Sequence, residues 1–443
     1  MTSVLEPIET CENKGESRKR RKPETANTED STPKKHRKLT DQAESSPPSI
    51  PQAIACTCRN SNNVVSLILR FPSGAQSVPF APKFTHQIFE DEKLCVKSTS
   101  RAEICYTALS LDCRYAFIEG QDGEKTSNQS IGCPQNHCRK ENVMKQLTAG
   151  QVFPSAPITQ LSDFKAASTT PITLPGKVVY RFEHVVGNCT PGKFAIRRMA
   201  MTDPSSRAYF DRLQRFSLMF IDGAELVDLT DHRWSALVAF QTNSTGEEIS
   251  VVGFTTLFSF WNPTRITQPR TVRVCQALVL PPFQKRGIGS RMLELVNQDA
   301  EADDEVLEVN IEDPCSGFQH MRDVLDVSRC MDRGLILMAD ATSETLRSKL
   351  KVSPRQAVRC FEILKLSSVN KEDNDRYKSY RLFVKKRLYR ENMCYLKTKK
   401  PDQLKLWLAN CYNTLEQKYE AVLSSVSKKR ARQRPQVTAA TDK

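Results

Sequence analysis

A run of about 18 consecutive apolar residues, the minimum for a membrane-crossing helix, is missing from this chain of 443 residues, so no membrane span is expected. The opening MTSVLEPIETCENKGE holds acids and no apolar core, which argues against a secretory signal. Without one, the 15 cysteines read as reduced thiols of an intracellular protein rather than as a disulfide framework. A second CxxC pair is also missing. Cys56 with Cys58, and Cys133 with His137 and Cys138, are irregularly spaced, so no metal site is expected. Neither GxxxxGK(S/T) nor GxGxxG occurs, which excludes a Walker loop and a dinucleotide fold by their own grammar.

Charge is abundant but uneven. Residues 351–443 carry 23 basic and 9 acidic side chains, which alone accounts for the net charge of +14 and leaves residues 1–350 neutral in sum. A neutral body does not repel a lysine-rich peptide. The basic carboxyl-terminal part suits an acidic protein surface or nucleic acid, or is a solvated helical face.

The most informative stretch is VRVCQALVLPPFQKRGIGSRMLELVNQDAEADDEVLEVNIEDP, Val272 to Pro314. Cys275 to Leu280 reads as an apolar strand that Pro281-Pro282 ends. QKRGIG, Gln284 to Gly289, then leaves successive N–H groups free before a helix expected over Ser290–Gln298. Such a nest suits a pyrophosphate, and Gly287 and Gly289 let the helix leave the strand sharply. Val306 to Ile311 reads as a core strand that delivers Glu312 and Asp313 to its carboxyl end, where open α/β sheets place ligands. Glu312-Asp313-Pro314 is either a strand-ending turn or the site of a general base.

QxxGxG after an apolar strand resembles the acyl-coenzyme A signature of the GCN5-related N-acetyltransferase (GNAT) superfamily. The resemblance narrows to the catalytic subunits of type B histone acetyltransferases through FTHQIFEDE (Phe84–Glu92), FIDGAELVDLTDHRW (Phe220–Trp234), VVGFTTLFSFWNP (Val251–Pro263), VCQALVLPPFQKRGIG, VNIEDP, SPRQAVRCFEILKL and RYKSYRLFVKKRL, in that order between about Cys58 and Val422. It implies an α+β fold: a splayed, mixed central sheet flanked by helices, with a small N-terminal mixed domain and a C-terminal helical bundle. It also implies transfer of acetyl from acetyl-coenzyme A, without a metal, to lysines in the tail of free histone H4; the alternatives are a non-histone N-acetyltransferase of the same superfamily and a catalytically inactive histone chaperone or chromatin scaffold. The expected partners are histone H4 with H3 and a WD-repeat histone-binding chaperone, in the nucleus and cytoplasm.

Carried over by position, the resemblance assigns the pyrophosphate to Gln284, Lys285, Arg286, Gly287, Ile288 and Gly289, and the pantetheine to Ala277, Leu278 and Val279. Gly317 matches a cofactor contact that is usually serine. Glu312 matches the base, Asp313 and Asp222 two further acids, and Asp222 stands where the family usually has glutamate. Phe258, Ser259 and Phe260 fall on one histone-tail contact, and Asp91 and Glu92 on another, beside which Lys93 replaces an acid and repels a basic tail. In any other chain Asp91-Glu92 is a solvated loop, and one of the two alternating phenylalanines is core. Cys275 and Cys315 raise a covalent route, which needs a basic partner; the only nearby histidine, His320, is expected at the surface, and direct transfer is simpler.

The domain boundaries expected are 1–52, a polar tail; 53–176, the N-terminal mixed domain; 177–325, the catalytic domain; 326–426, a helical bundle; and 427–443, a basic disordered tail. RKRRK (Arg18–Lys22), PKKHRK (Pro33–Lys38) and KKRARQR (Lys428–Arg434) resemble nuclear import signals. Glu119–Cys138 reads as an exposed insertion. One amphipathic helix is expected over Ser205–Phe220, a hairpin at NSTGEE, and three bundle helices over Arg355–Leu366, Asp375–Leu388 and Gln403–Leu423, with KTKKPD between the last two.

Overall fold

The computed structural model describes residues 57–120, 143–145, 147, 157–184, 192–335 and 341–433. The first two basic clusters and Cys133, His137 and Cys138 lie outside them, as do Cys56 and nearly all of the insertion. In the N-terminal domain β1 (Thr57–Asn60) pairs with β3 (Lys93–Val96), and β2 (Val65–Arg70), β4 (Arg101–Thr107) and β5 (Cys113–Ile118) form a three-stranded sheet, with α1 (Leu161–Thr169) alongside. The catalytic domain follows as β6 (Lys177–His184), β7 (Gly192–Ala200), α2 (Pro204–Leu213), α3 (Phe216–Phe220), β8 (Trp234–Thr242), β9 (Glu248–Trp261), β10 (Arg270–Val279), α4 (Ile288–Ala302), β11 (Val306–Ile311) and α5 (Ser316–Asp332). Its six strands lie in the order β11-β10-β9-β8-β7-β6. Every pair is antiparallel except β10 with β11, which are parallel and joined through α4. This is the mixed, helix-flanked sheet expected from the sequence.

One apolar core runs from Val64 through the N-terminal domain and the sheet to Leu325. A second core fills the bundle of α6 (Ser343–Leu350), α7 (Pro354–Ser367), α8 (Asn374–Glu391) and α10 (Pro401–Gln433), with the short α9 (Met393–Leu396) joining the last two. Helix α5 belongs to both, with Leu325 in the first and Val327 and Cys330 in the second, so the boundary expected at 325/326 falls inside a helix. Ion pairs tie the two parts: Arg347 on α6 holds Glu308 on β11 at 3.1 Å, and Arg359 on α7 holds Asp323 on α5 at 2.6 Å. Within the bundle, Arg387 grips the fully buried Glu362 with two bonds of 2.7 and 2.8 Å, to which the Tyr419 hydroxyl adds a third at 2.8 Å. Removing one partner of such a network costs about 3–5 kcal/mol, because the other charge stays buried.

Three expectations need correction. The helix expected over Ser205–Phe220 is two helices, because Gln214 ends the first and spends its side chain on the Val227 N–H at 2.9 Å. The last helix does not stop at Leu423: Val422 and Val426 continue its buried stripe and Arg430 reaches Asp332 at 3.6 Å, so most of the KKRARQR cluster is helical rather than tail. His320 is half-buried, its Nε2 3.2 Å from Ser425 Oγ on α10. Elsewhere local chemistry sets the ends as read: Ser353 caps α7 with Pro354 in its first turn, and Asn243 N–H closes the NSTGEE hairpin on Glu247 O at 2.9 Å.

Candidate active site

Strand β10 begins at Arg270, earlier than expected: Arg270 to Arg273 are all half-buried, so its first half carries no alternation to read. It pairs with β9 along its whole length, but with β11 only from Arg270 to Val274. The last rung is the Glu312 N–H donating to Val274 O at 2.9 Å. Beyond it β11 turns away through Asp313, whose φ is 33°, and Cys275–Val279 have one open edge. Cys275 is the extra residue of a bulge, since Val274 faces Leu257 and Gln276 faces Thr256. A bulge bends its strand and opens the ladder there.

After Val279 the Pro281–Phe283 turn leads to the glycine loop. Gln284 N–H bonds Pro281 O at 3.3 Å and Arg291 N–H bonds Gly287 O at 3.0 Å; among the described residues, the N–H groups of Lys285 to Ser290 between them meet no backbone acceptor. Lys285 (φ 62°) and Gly287 (φ 74°) take the left-handed turn that aims them outward, and α4 starts at Ile288, two residues before expectation. This fits an anionic diphosphate: unpaired donors converge at a helix start. Two side chains of the loop brace it, Gln284 Nε2 donating to Val279 O at 2.9 Å and Arg286 to Pro282 O at 3.3 Å. A Cβ on Gly317 meets nothing within 4 Å, so the first turn of α5 has room for a side chain there.

Glu312 is solvent-facing and lies 3.8 Å from the Arg273 guanidinium. It also touches the Cys275 thiol, whose pKa burial and this carboxylate push up to about 12. A thiol held protonated there is not a nucleophile at neutral pH, and His320 bonds Ser425 instead, so an acyl-cysteine route through Cys275 lacks both a thiolate and a basic partner. Arg273 stacks 4.4 Å over the Phe260 ring, and Arg233 4.7 Å over Phe258. Phe258 is 9% exposed and packs on Trp234 with centroids 4.7 Å apart, whereas Phe260 is 36% exposed; one ring is core and one is surface. Ser259, between them, points to the other face of the sheet.

The acidic turn is divided. Glu92 faces inward, accepting from Thr85 N–H and Asn62 Nδ2, both at 2.8 Å, and the Thr85 bond is the main reason its pKa is lowered. Asp91 faces solvent and pairs with Lys93 at 3.3 Å, so this cation neutralises the acid beside it. Asp222 is exposed in a turn closed by Ala224 N–H on Ile221 O at 3.3 Å, which Gly223 permits with φ 63°. Asp313 is exposed as well. Arg273 and Gln276 escaped the sequence reading; their alternation with Val274 along β10 was the available signal, but the bulge breaks it. Among the described residues no group of three or more His, Cys, Asp or Glu could hold a metal, and no helix is long and apolar enough to cross a membrane.

Two family models match the chain: Histone acetyl transferase HAT1 N-terminus over residues 57–222, and Acetyltransferase (GNAT) family over residues 201–313. With the opened β10/β11 pair and the glycine loop, these define a GNAT-superfamily acetyltransferase. Within that superfamily the chain is related to the catalytic subunits of type B histone acetyltransferases, the HAT1 family. The subunit of Homo sapiens is 28% identical over 357 residues, 74% of this chain and 79% of its own length. That of Kluyveromyces lactis is 25% identical over 387 residues, covering 83% and 92%, and that of Dictyostelium discoideum 27% over 340 residues, covering 71% and 68%.

Proposed function

We propose that the protein transfers acetyl from acetyl-coenzyme A to the ε-amines of lysines in the N-terminal tail of free histone H4, with Glu312 as general base. The observation that carries this is the position of Glu312 on the last rung between β10 and β11, at the mouth of the open edge of Cys275–Val279. The N–H groups of Lys285–Gly289 hold the diphosphate, and the open edge of Ala277, Leu278 and Val279 pairs with the amides of the pantetheine arm and donates to the thioester oxygen. A lysine ammonium, pKa about 10.4, does not attack while protonated. Glu312, directly or through a water, takes that proton, aided by Asp313 or Asp222. The amine then attacks the carbonyl and coenzyme A leaves as the thiol.

Phe260, with Phe258 and Ser259 behind it, and Asp91, with Glu92 fixing its turn, receive the tail. Type B subunits are what the related chains are named, which supports histone as the substrate class. The basic bundle supports an acidic partner surface such as a WD-repeat histone chaperone carrying H3 and H4, and the basic clusters support passage between cytoplasm and nucleus. Mass spectrometry of a free H3–H4 mixture incubated with the chain and acetyl-coenzyme A tests the proposal. Acetyl groups confined to the H4 tail are expected; none on any histone removes it.

A further inference from the structure

Residues 224–227, just after Asp222, are held by three glutamine side chains from three elements. Gln87 Nε2, from the segment that carries Asp91 and Glu92, donates to Ala224 O at 2.9 Å. Gln276 Nε2, from β10, donates to Glu225 O at 2.7 Å, and Gln214 Oε1, at the end of α2, accepts from Val227 N–H at 2.9 Å. A loop without strand partners has its backbone groups satisfied this way by side chains instead. The Asp222 turn is thereby connected to the substrate-facing domain on one side and to the cofactor strand on the other.

Gln276 is the informative member. It is 8% exposed, its N–H donates to Thr256 Oγ1 at 2.9 Å beside the bulge, and its Oε1 is buried with no donor among the described residues. Turning the amide over sets that oxygen against Glu225 O, so the loop fixes its orientation. A methionine fills the same space without leaving a buried acceptor unpaired, an arrangement that costs stability. Local rules broken in this way mark functional positions.

We propose that Gln276 is a positioning residue that locks the Asp222 turn to the cofactor strand, so that the amine side and the thioester side of the site keep one spacing. This rests on the reading of Asp222 as an acid of the site. Because Gln276 acts through that turn, its effect vanishes once Asp222 no longer matters, which is non-additivity of a kind that independent sites do not show.

The test is a double-mutant cycle on the full chain, Gln276→Met against Asp222→Asn, read as kcat/KM for an H4 tail peptide and as the Kd of coenzyme A by calorimetry. Gln276→Asn, which keeps the amide and shortens its reach, runs beside Gln276→Met so that poor folding of one leaves the other. The expected result is a fall of about fivefold to tenfold in kcat/KM, unchanged coenzyme A binding, and a double variant no worse than Asp222→Asn alone. Losses that multiply, or coenzyme A binding that weakens in step, overturn the proposal while leaving Asp222 in place. An Asp222→Asn chain with full activity removes the reading of Asp222 and the proposal with it.

Discussion

The amide of Glu312 and the carbonyl of Val274, 2.9 Å apart, make the last bond between β10 and β11. One residue therefore closes the ladder with its backbone and faces the opening with its carboxylate. The two tasks are separable by substitution. Glu312→Gln keeps the backbone bond and the side-chain volume but removes the proton acceptor. Its kcat is expected to fall by about 10²- to 10⁴-fold, with coenzyme A affinity and melting temperature unchanged. A variant that keeps wild-type kcat shows that Glu312 is not the base.

Arg273 and Cys275 flank that carboxylate, and only one of them carries charge near neutral pH. The folded chain holds the Cys275 proton up to about 12, whereas an unfolded thiol releases it near 8.5. The raised value therefore contributes stability that is fully present below about 8.5 and is lost as the pH rises towards the folded value. Cys275→Ser is expected to keep most of the acetylation rate and to flatten that alkaline loss in thermal melts. Rapid-quench kinetics are expected to show no acyl-enzyme burst, and a burst abolished by Cys275→Ser restores the covalent route.

Much of this site was legible because its signals are local. The glycines of QKRGIG, the prolines after β10 and the acids after Ile311 each dictate a backbone event within a few residues. What escaped depends on pairing across the sheet. A one-residue bulge at Cys275 has no residue-type signature, and neither does the parallel ladder ending at Val274, because both exist only once β9 and β11 are in register. The break between α2 and α3 was hidden for the same reason: Phe210, Leu213, Phe216 and Phe220 keep a helical spacing, and the interruption comes from a bond between Gln214 and Val227. Glu92 and Asp91, adjacent in sequence, differ in role because Asn62 and Thr85 lie beside only one of them.

The exposed pair of Lys93 and Asp91 sets up a gain of function. Exposed ion pairs are worth about 0.2–1 kcal/mol, so removing the cation frees an acid at little cost to folding. Lys93→Glu is expected to lower KM for a basic tail peptide by about twofold to fivefold at low salt, with the gain fading at high ionic strength. An unchanged KM at low salt means that the tail does not pass this turn.

Gly317 offers a second gain, through the cofactor. A Cβ there meets open space, so Gly317→Ser needs no neighbour to move. One added hydrogen bond is worth about 0.5–1.5 kcal/mol, and coenzyme A is expected to bind about two- to tenfold more tightly by calorimetry. Unchanged affinity places the cofactor away from the first turn of α5.

Gly253 lies on β9 directly opposite Val279, and a Cβ there comes 2.4 Å from Leu278 O and 3.0 Å from Val279 Cα. Both atoms are backbone of the open-edged strand, so neither can yield by a side-chain rotation. Gly253→Ala has to push Leu278 and Val279 outward, towards the edge proposed to pair with the pantetheine amides. Overpacking costs about 1–3 kcal/mol in stability, and the displaced edge is expected to raise KM for acetyl-coenzyme A more than KM for the peptide. Equal changes in both make the effect one of general unfolding, whereas a selective rise ties the cofactor to the backbone between Ala277 and Val279.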